Sequence, residues 1–198
     1  NLKIKAKVHL EIETGMCRTG FAVSQVSALS QWLKTNAKHI AFQGLFTHFA
    51  GAESQANHAR IIKQIDQFKQ AQQLFQAENL HPVYHHTACS AALLNYPETQ
   101  GNMVRTGILQ YGFWPNRETR IRHCGEKETA NPLKRVIRWT TKVMTLKTVE
   151  KGSYIGYGKS FRAPTDMNLA IIPTGYAHGY NRNLSNIGSV LVNGAPAS

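Results

Sequence analysis

Cysteines, acidic residues and long apolar runs are scarce in this sequence of 198 residues. The three cysteines, Cys17, Cys89 and Cys124, are far apart and include no CxxC pair, which is typical of reduced thiols rather than of a disulfide framework. No apolar run is long enough to span a bilayer, and no signal-peptide pattern is present. We therefore expect a cytoplasmic protein without a membrane segment, and we assign no metal-binding residues.

The scarcity of acidic residues leaves the chain strongly basic. Lys and Arg number 23 against 11 Asp and Glu, which gives a formal net charge of +12. Such a charge favours a nucleic acid or an anionic surface as partner. The basic residues are scattered in small clusters around Lys5, Arg120 and Arg135, however, and no helix or aromatic-basic motif organises them. We interpret them as a solvated surface and expect no nucleic-acid partner. The alternative, a nucleic-acid-binding module, predicts binding that falls steeply with salt.

What the chain does have is a regular alternation of strand-like and helix-like segments up to residue 112. Leu2 to Ile12 alternate between apolar and polar residues, which is the period of a strand. Four predicted strands separated by three predicted helices indicate consecutive βα units and a parallel sheet. The strands are predicted at 2–14, 40–48, 82–90 and 102–112, and the helices at 20–37, 54–80 and 90–98. The apolar stripe of the second helix is Ile61, Ile65, Phe68, Leu74 and Phe75, with Ser54 as its N-cap.

Chemically interesting side chains follow these strands. Arg18, His48, Ser90 and Arg105 come at or near the strand ends. In parallel α/β folds, sites are built at the carboxyl ends of the strands. The pattern therefore predicts a site at that edge.

The composition of the sequence changes after residue 115. Residues 116–132 are polar and charged up to Pro132, and we interpret them as a linker. Residues 133–198 contain short runs of Val, Ile and Thr divided by glycine, which predicts an all-β domain. The chain also begins without Met and ends close to a predicted turn. We expect it to be part of a longer protein.

Six short strings, in this order, resemble the alanine racemase family. They are "IETGMCRTGF", "GLFTHFAGAE", "HHTACSAALL", "VRTGILQYGFWP", "GYGKSF" and "PTGYAHGYNR". The resemblance implies an α/β fold in which residues 1–132 form the C-terminal part of a (β/α)8 TIM-type barrel that binds the cofactor. Residues 133–198 would then begin the all-β C-terminal domain.

The resemblance also implies pyridoxal phosphate as cofactor. Arg105 resembles the arginine that contacts the pyridine nitrogen, and His86 the histidine that contacts this arginine. Because an arginine keeps its proton, the ring nitrogen would stay neutral and the ring would be a weak electron sink, which suits racemisation. Ser90, Gly107 and Ile108 resemble the donors to the cofactor phosphate.

Further residues are implied for the substrate. Arg18 resembles the arginine near the phenolic oxygen of the cofactor and the substrate carboxylate. Tyr176 resembles the tyrosine base, which works from across a homodimer interface, and His48 the histidine that contacts this tyrosine. The lysine that anchors the cofactor as a Schiff base lies upstream of the first strand in the family, so we assign it to no residue of this chain.

At four positions the residue differs from the one that is usual in the family. Glu13 stands in place of Asp, Cys17 in place of a small residue, Cys89 in place of Asn and His178 in place of Asp. The leading hypothesis is a two-base racemase that interconverts L-alanine and D-alanine bound to pyridoxal phosphate. The alternatives are a racemase for serine or another amino acid, and a truncated racemase-like fragment without activity.

Overall fold

The computed structural model describes residues 4–126 and 131–198, which divide into two compact units. The first unit is Asn1–Ile137 and the second is Arg138–Ser198. Our predicted boundary at residues 132 and 133 remains a prediction. Within the described residues, no helix combines the length and the apolar character needed to cross a bilayer.

A parallel sheet organises the first unit, as predicted. Its strands are β1 (Ala6–Glu13), β2 (Phe21–Ala22), β3 (Ile40–Phe46) and β4 (Tyr84–His86), in the order β2-β1-β3-β4. All three pairings are parallel, so the carboxyl ends of the strands meet at one edge.

Within its described residues, the first unit also contains four α-helices, of which the first two pack against one face of this sheet. They are α1 (Val26–Thr35), α2 (His58–Ala77), α3 (Ser90–Asn95) and α4 (Arg117–Cys124). One apolar cluster joins Ile12 of β1 and Leu45 of β3 to Phe68 and Phe75 of α2. A second cluster packs Ile61 and Ile65 of α2 against residues around α3. Burial of alternate strand residues against the helices therefore leaves the opposite residues of each strand on the other face.

The buried stripe of α2 differs from the prediction at two positions. Leu74 is exposed, whereas Gln64 is 1% exposed and lies between Ile61 and Phe68 on the buried face. A count of apolar residues overlooks Gln64 because its amide is buried through hydrogen bonds and not through its hydrophobicity.

The prediction of a strand at 102–112 was wrong over most of that segment. A single parallel bridge joins Cys89 to Arg105, and Ile108–Tyr111 form a 3-10 turn. The side chain of Asn102 explains the difference. It accepts a hydrogen bond from the His85 amide and donates one to the Val83 carbonyl, so it takes up backbone groups at the edge of β4 that a strand would pair.

Part of the predicted linker at 116–132 is a helix. Asn116 caps α4 by accepting a hydrogen bond from the Thr119 amide at 2.8 Å, and its amide donates to the Glu53 carbonyl. Thr119 is buried and also donates to Glu53. The polar composition predicted a linker because this helix is fixed by hydrogen bonds and buries little apolar surface.

The second unit is built from short antiparallel strands. Its pairs are β5 (Thr145–Val149) with β8 (Met167–Ile171), β6 (Tyr154–Ile155) with β7 (Phe161–Arg162), and β9 (Val190–Val192) with β10 (Ala195–Ala197). Among the described residues of this unit, the helical segments are single 3-10 turns. The all-β character is as predicted.

Candidate active site

Arg105 lies at the carboxyl edge of the sheet and is held by two neighbouring strands. Its Nη2 donates to the carbonyl of Thr47, directly after β3, at 2.8 Å. Its Nη1 donates to Nδ1 of His86, the last residue of β4, at 2.6 Å and also contacts the His86 carbonyl. The guanidinium lies over the ring of Phe46. Burial lowers the pKa of Arg105, yet an arginine stays protonated at neutral pH.

His86 is buried and neutral. Its pKa falls to about 4 because burial disfavours the imidazolium, and because the charges of Arg105, His9 and His85 oppose another positive charge. A neutral imidazole accepts through one nitrogen and donates through the other. Since arginine has donors and no acceptor, Nδ1 of His86 is the accepting atom. The structure thus brings Arg105 and His86 together as predicted.

His48 lies beside the same guanidinium. Its Nδ1 is 3.4 Å from Nη2 of Arg105. Burial lowers the pKa of His48 first, and the charges of Arg105 and Arg18 lower it further. The imidazole is therefore neutral over most of the physiological range and available as an acceptor or donor.

A buried polar network that the sequence did not reveal supports this edge. The amide of Gln64 accepts from the Ala50 backbone N–H at 2.9 Å and donates to the His48 carbonyl at 3.2 Å. It also donates to Thr14 Oγ1, which pairs with Thr47 Oγ1 at 2.6 Å. Gln64 therefore fixes the backbone from His48 to Ala50. The signal that could have found it is a glutamine within the apolar face of a helix.

Ser90 binds the turn after Arg105 through its hydroxyl. Ser90 Oγ accepts from the backbone amide of Gly107 at 2.9 Å and from that of Leu109 at 3.4 Å. Ile108 begins the 3-10 turn between them. A Cβ at Gly107 would meet only Ser90 Oγ, at 4.0 Å, so there is room beside Gly107 although Ser90 itself is buried. Because Ser90 Oγ accepts from these amides, its own O–H proton is left to donate to another acceptor, such as a phosphate oxygen.

Arg18 follows β1 in a loop that Glu13 organises. The Glu13 carboxylate accepts from the backbone amides of Gly15 and Arg18. Burial raises the pKa of Glu13, but hydrogen bonds from amides of the loop outweigh it and lower the pKa overall. The carboxylate of Glu13 therefore binds this loop. The Arg18 side chain is 53% exposed and lies 4.0 Å from the Glu11 carboxylate.

Two of the other unusual positions are the cysteines Cys17 and Cys89. Cys17 is exposed and has φ of 57°, a left-handed conformation that glycine adopts without strain. Cys89 precedes α3 and forms the bridge with Arg105. Among the described residues, no group of three or more His, Cys, Asp or Glu side chains could hold a metal ion.

Tyr176 belongs to the second unit. It begins a 3-10 turn, Tyr176–His178, and is 72% exposed. His178 Nδ1 accepts from the Gly175 amide at 3.4 Å, and Gly179 ends the turn with φ of 92°. The glycines on both sides of Tyr176 thus form a tight turn that carries an exposed phenol. The role predicted for Tyr176 remains a prediction.

Comparison with known proteins identifies relatives of both units. Residues 1–115 match the family model "Alanine racemase, N-terminal domain", and residues 136–198 match "Alanine racemase, C-terminal domain". The chain is 34% identical over 197 residues to alanine racemase of Desulfovibrio desulfuricans and 36% identical over 195 residues to that of Geobacter sulfurreducens. These alignments cover 100% and 98% of the chain but 50% and 49% of the relatives. The chain therefore spans about half the length of these relatives.

Solved structures give the same result. The structure of alanine racemase from D-cycloserine producing Streptomyces lavendulae matches with a TM-score of 0.83 and 31% identity, over 97% of this chain and 49% of that chain. That of Clostridium difficile 630 matches with a TM-score of 0.81 and 29% identity, over 97% and 48%. The predicted fold, part of a (β/α)8 barrel followed by an all-β domain, is confirmed.

Proposed function

Because this chain belongs to the alanine racemase family, we propose that the protein that carries it interconverts L-alanine and D-alanine. The observation that supports this most directly is Arg105, a charged donor held at the carboxyl edge of the sheet by the neutral His86. A donor that keeps its proton, in place of a carboxylate, suits chemistry in which the substrate carbon is quickly reprotonated.

We propose pyridoxal phosphate as the cofactor, as the family implies. When bound, it supplies an electron-accepting ring that makes the proton on the substrate α-carbon removable. Ser90 Oγ with the amides of Gly107 and Ile108 would hold its phosphate, and Arg105 would donate a hydrogen bond to its ring nitrogen. The Ser90 hydroxyl proton suits such an anion, and the Gly107 amide would turn from Ser90 Oγ towards the phosphate when the cofactor binds. Arg18 would attract the substrate carboxylate.

We propose Tyr176 as one of two proton-transferring bases. Inversion at a carbon requires bases on opposite faces, and a phenol with a pKa of about 10 needs nearby cations or donors to act as one. In a homodimer, Tyr176 of one protomer would serve the site of the other, with His48 as its partner there. The second base would be the lysine that carries the cofactor, which is not assigned to this chain.

The test is a racemisation assay on the protein as its native gene encodes it, supplied with pyridoxal phosphate. L-alanine is expected to yield D-alanine faster than L-serine yields D-serine. Tyr176→Phe is expected to lower the rate at least about 100-fold, the scale of general acid-base catalysis. Tyr154→Phe is a matched control, because Tyr154 is an exposed tyrosine in the same unit. Absence of any D-amino acid from the unaltered protein would contradict the proposal. Equal rates for the two tyrosine variants would contradict the role of Tyr176.

A further inference from the structure

A row of hydrogen bonds continues from Arg105 through His86 to a residue of the first strand. Nε2 of His86 lies 2.7 Å from Nδ1 of His9, which is 77 residues away in the sequence. On its other side, Nδ1 of His86 is 2.6 Å from Nη1 of Arg105. Three side chains, from β1, from β4 and from the segment after α3, are thus joined end to end.

The direction of each hydrogen bond in this row follows from the chemistry of its ends. Arginine can only donate, so Nδ1 of His86 must accept and carries no proton. A neutral imidazole then has its proton on Nε2, and this N–H must donate to Nδ1 of His9. His9 therefore carries its own proton on Nε2 when it is neutral. A single arrangement of protons satisfies the whole row.

The sheet is built so that His9 can reach β4. In the strand register, His9 lies opposite Gly44 of β3, and Gly44 lies opposite Tyr84 of β4. A Cβ at Gly44 would come 2.3 Å from Nδ1 of His9, so only glycine leaves room for the ring. The His9 ring crosses β3 at this point, stacks on Tyr84 with 5.6 Å between ring centroids, and lies 4.9 Å from the His86 ring.

We infer that His9 is a positioning residue for Arg105: it accepts the Nε2 proton of His86 and thereby holds the His86 ring in the orientation in which Nδ1 faces the guanidinium. His86 is 4% exposed, so the loss of this acceptor would leave its N–H buried without a partner. The ring would relieve that cost by turning or shifting, and Arg105 would lose its fixed acceptor. The identity of the group that Arg105 binds rests on the proposed function. The contacts among His9, His86 and Arg105 do not.

The test uses the protein as its native gene encodes it, with the ring nitrogens of histidine labelled for NMR. His86 is identified by the signals lost in His86→Asn. In the unaltered protein, His86 is expected to show an unprotonated Nδ1 and a protonated Nε2. A proton on Nδ1 of His86 in the unaltered protein overturns the inference without need of any variant.

Two substitutions at His9 separate the acceptor from the bulk of the side chain. Asn and Leu are similar in size, but Asn keeps an acceptor near the position of Nδ1 and Leu does not. His9→Asn is expected to keep the single His86 form, whereas His9→Leu is expected to give mixed or broadened His86 signals. If His9→Leu does not fold, His9→Phe, which keeps a ring, replaces it. Unchanged His86 signals in His9→Leu, or equal disturbance in His9→Asn, overturn the inference.

Racemisation is measured on the same samples. His9→Leu is expected to be about tenfold slower than His9→Asn, which is the scale of one unsatisfied buried donor. Equal rates in two folded variants overturn the inference. If the unaltered protein forms no D-alanine but shows the expected His86 form, the proposed function fails while the row of hydrogen bonds stands.

Discussion

Arg105 is held in place by contacts with several residues, and Gln64 supports the backbone to which it binds. Arg105 donates to the carbonyl of Thr47, and Gln64 binds the backbone of His48 and Ala50 just after it. A side chain with no charge and no place in the chemistry can therefore control the position of a charged one. The cost of removing it arises from backbone groups left without partners.

Gln64→Leu is expected to lower the free energy of unfolding by about 3 kcal/mol, because it leaves the Ala50 N–H and the His48 carbonyl unpaired in a buried place. The measurement is chemical denaturation of the protein from its native gene. Gln73→Leu, at an exposed position of the same helix, is the control and is expected to change stability little. A loss of the same size at both positions would contradict the role given to Gln64.

His86 also predicts how stability depends on pH. Its pKa is near 4 in the folded protein and about 6.5 in an unfolded chain, so the unfolded state binds more protons between these values. Stability from the neutral His86 is fully present above about pH 6.5 and is lost as the pH falls towards 4. Between about pH 7.5 and pH 5, the loss is expected to be about 2 kcal/mol.

Denaturation of the unaltered protein and of His86→Asn over this range measures the contribution. His48, whose pKa is also lowered, remains in both proteins and cancels in the comparison. A pH dependence that is the same with and without His86 would show that its neutral form does not contribute to stability.

At the scale of elements, the pairing of β1, β3 and β4 decides which side chains meet. The pairing of β1 with β3 shifts between Val8 and His9, and this irregularity brings His9 opposite Gly44. Beyond this shift, Glu11 of β1 pairs with Phe46 of β3, and Phe46 pairs with His86 of β4. A change in β3, the middle strand, should therefore affect the positions of β1 and β4.

Gly44→Ala tests this pairing. The new Cβ would come 2.3 Å from the His9 ring, so the substitution is expected to lower the free energy of unfolding by about 2 kcal/mol. Combined with His9→Ala, which removes the ring, the alanine at 44 is expected to cost at least about 1 kcal/mol less. Denaturation of the two single variants and the double variant gives this coupling. Strictly additive losses would mean that the ring does not lie over Gly44.

At the scale of the whole molecule, the chain spans about half the length of the relatives it matches. Parallel strands of a barrel that lacks some of its strands expose backbone edges and an uncovered face. Large apolar side chains of the second unit are also exposed, among them Leu146, Tyr157, Ile187 and Leu191. Surfaces of this kind favour association.

These 198 residues expressed by themselves are therefore expected to be insoluble or molten. The soluble fraction, a thermal melt and the binding of a hydrophobic dye measure this, with the protein from the native gene as control. A soluble monomer of the isolated chain with a sharp cooperative melt would show that the exposed edges and side chains are tolerated.

The sequence by itself determined the order β1, α1, β3, α2, β4 and α3, because hydrophobic period and turn residues are local properties. It did not predict β2, which lies within the helix predicted at 20–37. Its six strings also indicated Arg105, His86, His48 and Ser90, which the structure brings to one edge of the sheet. Local signals failed at the segment 102–112, where the Asn102 side chain pairs with β4, and at the helix within 116–132, which hydrogen bonds hold to Glu53.

The tertiary structure alone decided which distant residues support the site. Gln64 shares the helical period of its apolar neighbours, yet its importance depends on carbonyl and amide groups of another segment. His9 and His86 meet because a shift in strand pairing places a glycine between them. No local pattern encodes this contact, since it depends on the register of three strands, and register is fixed when the faces of the sheet pack.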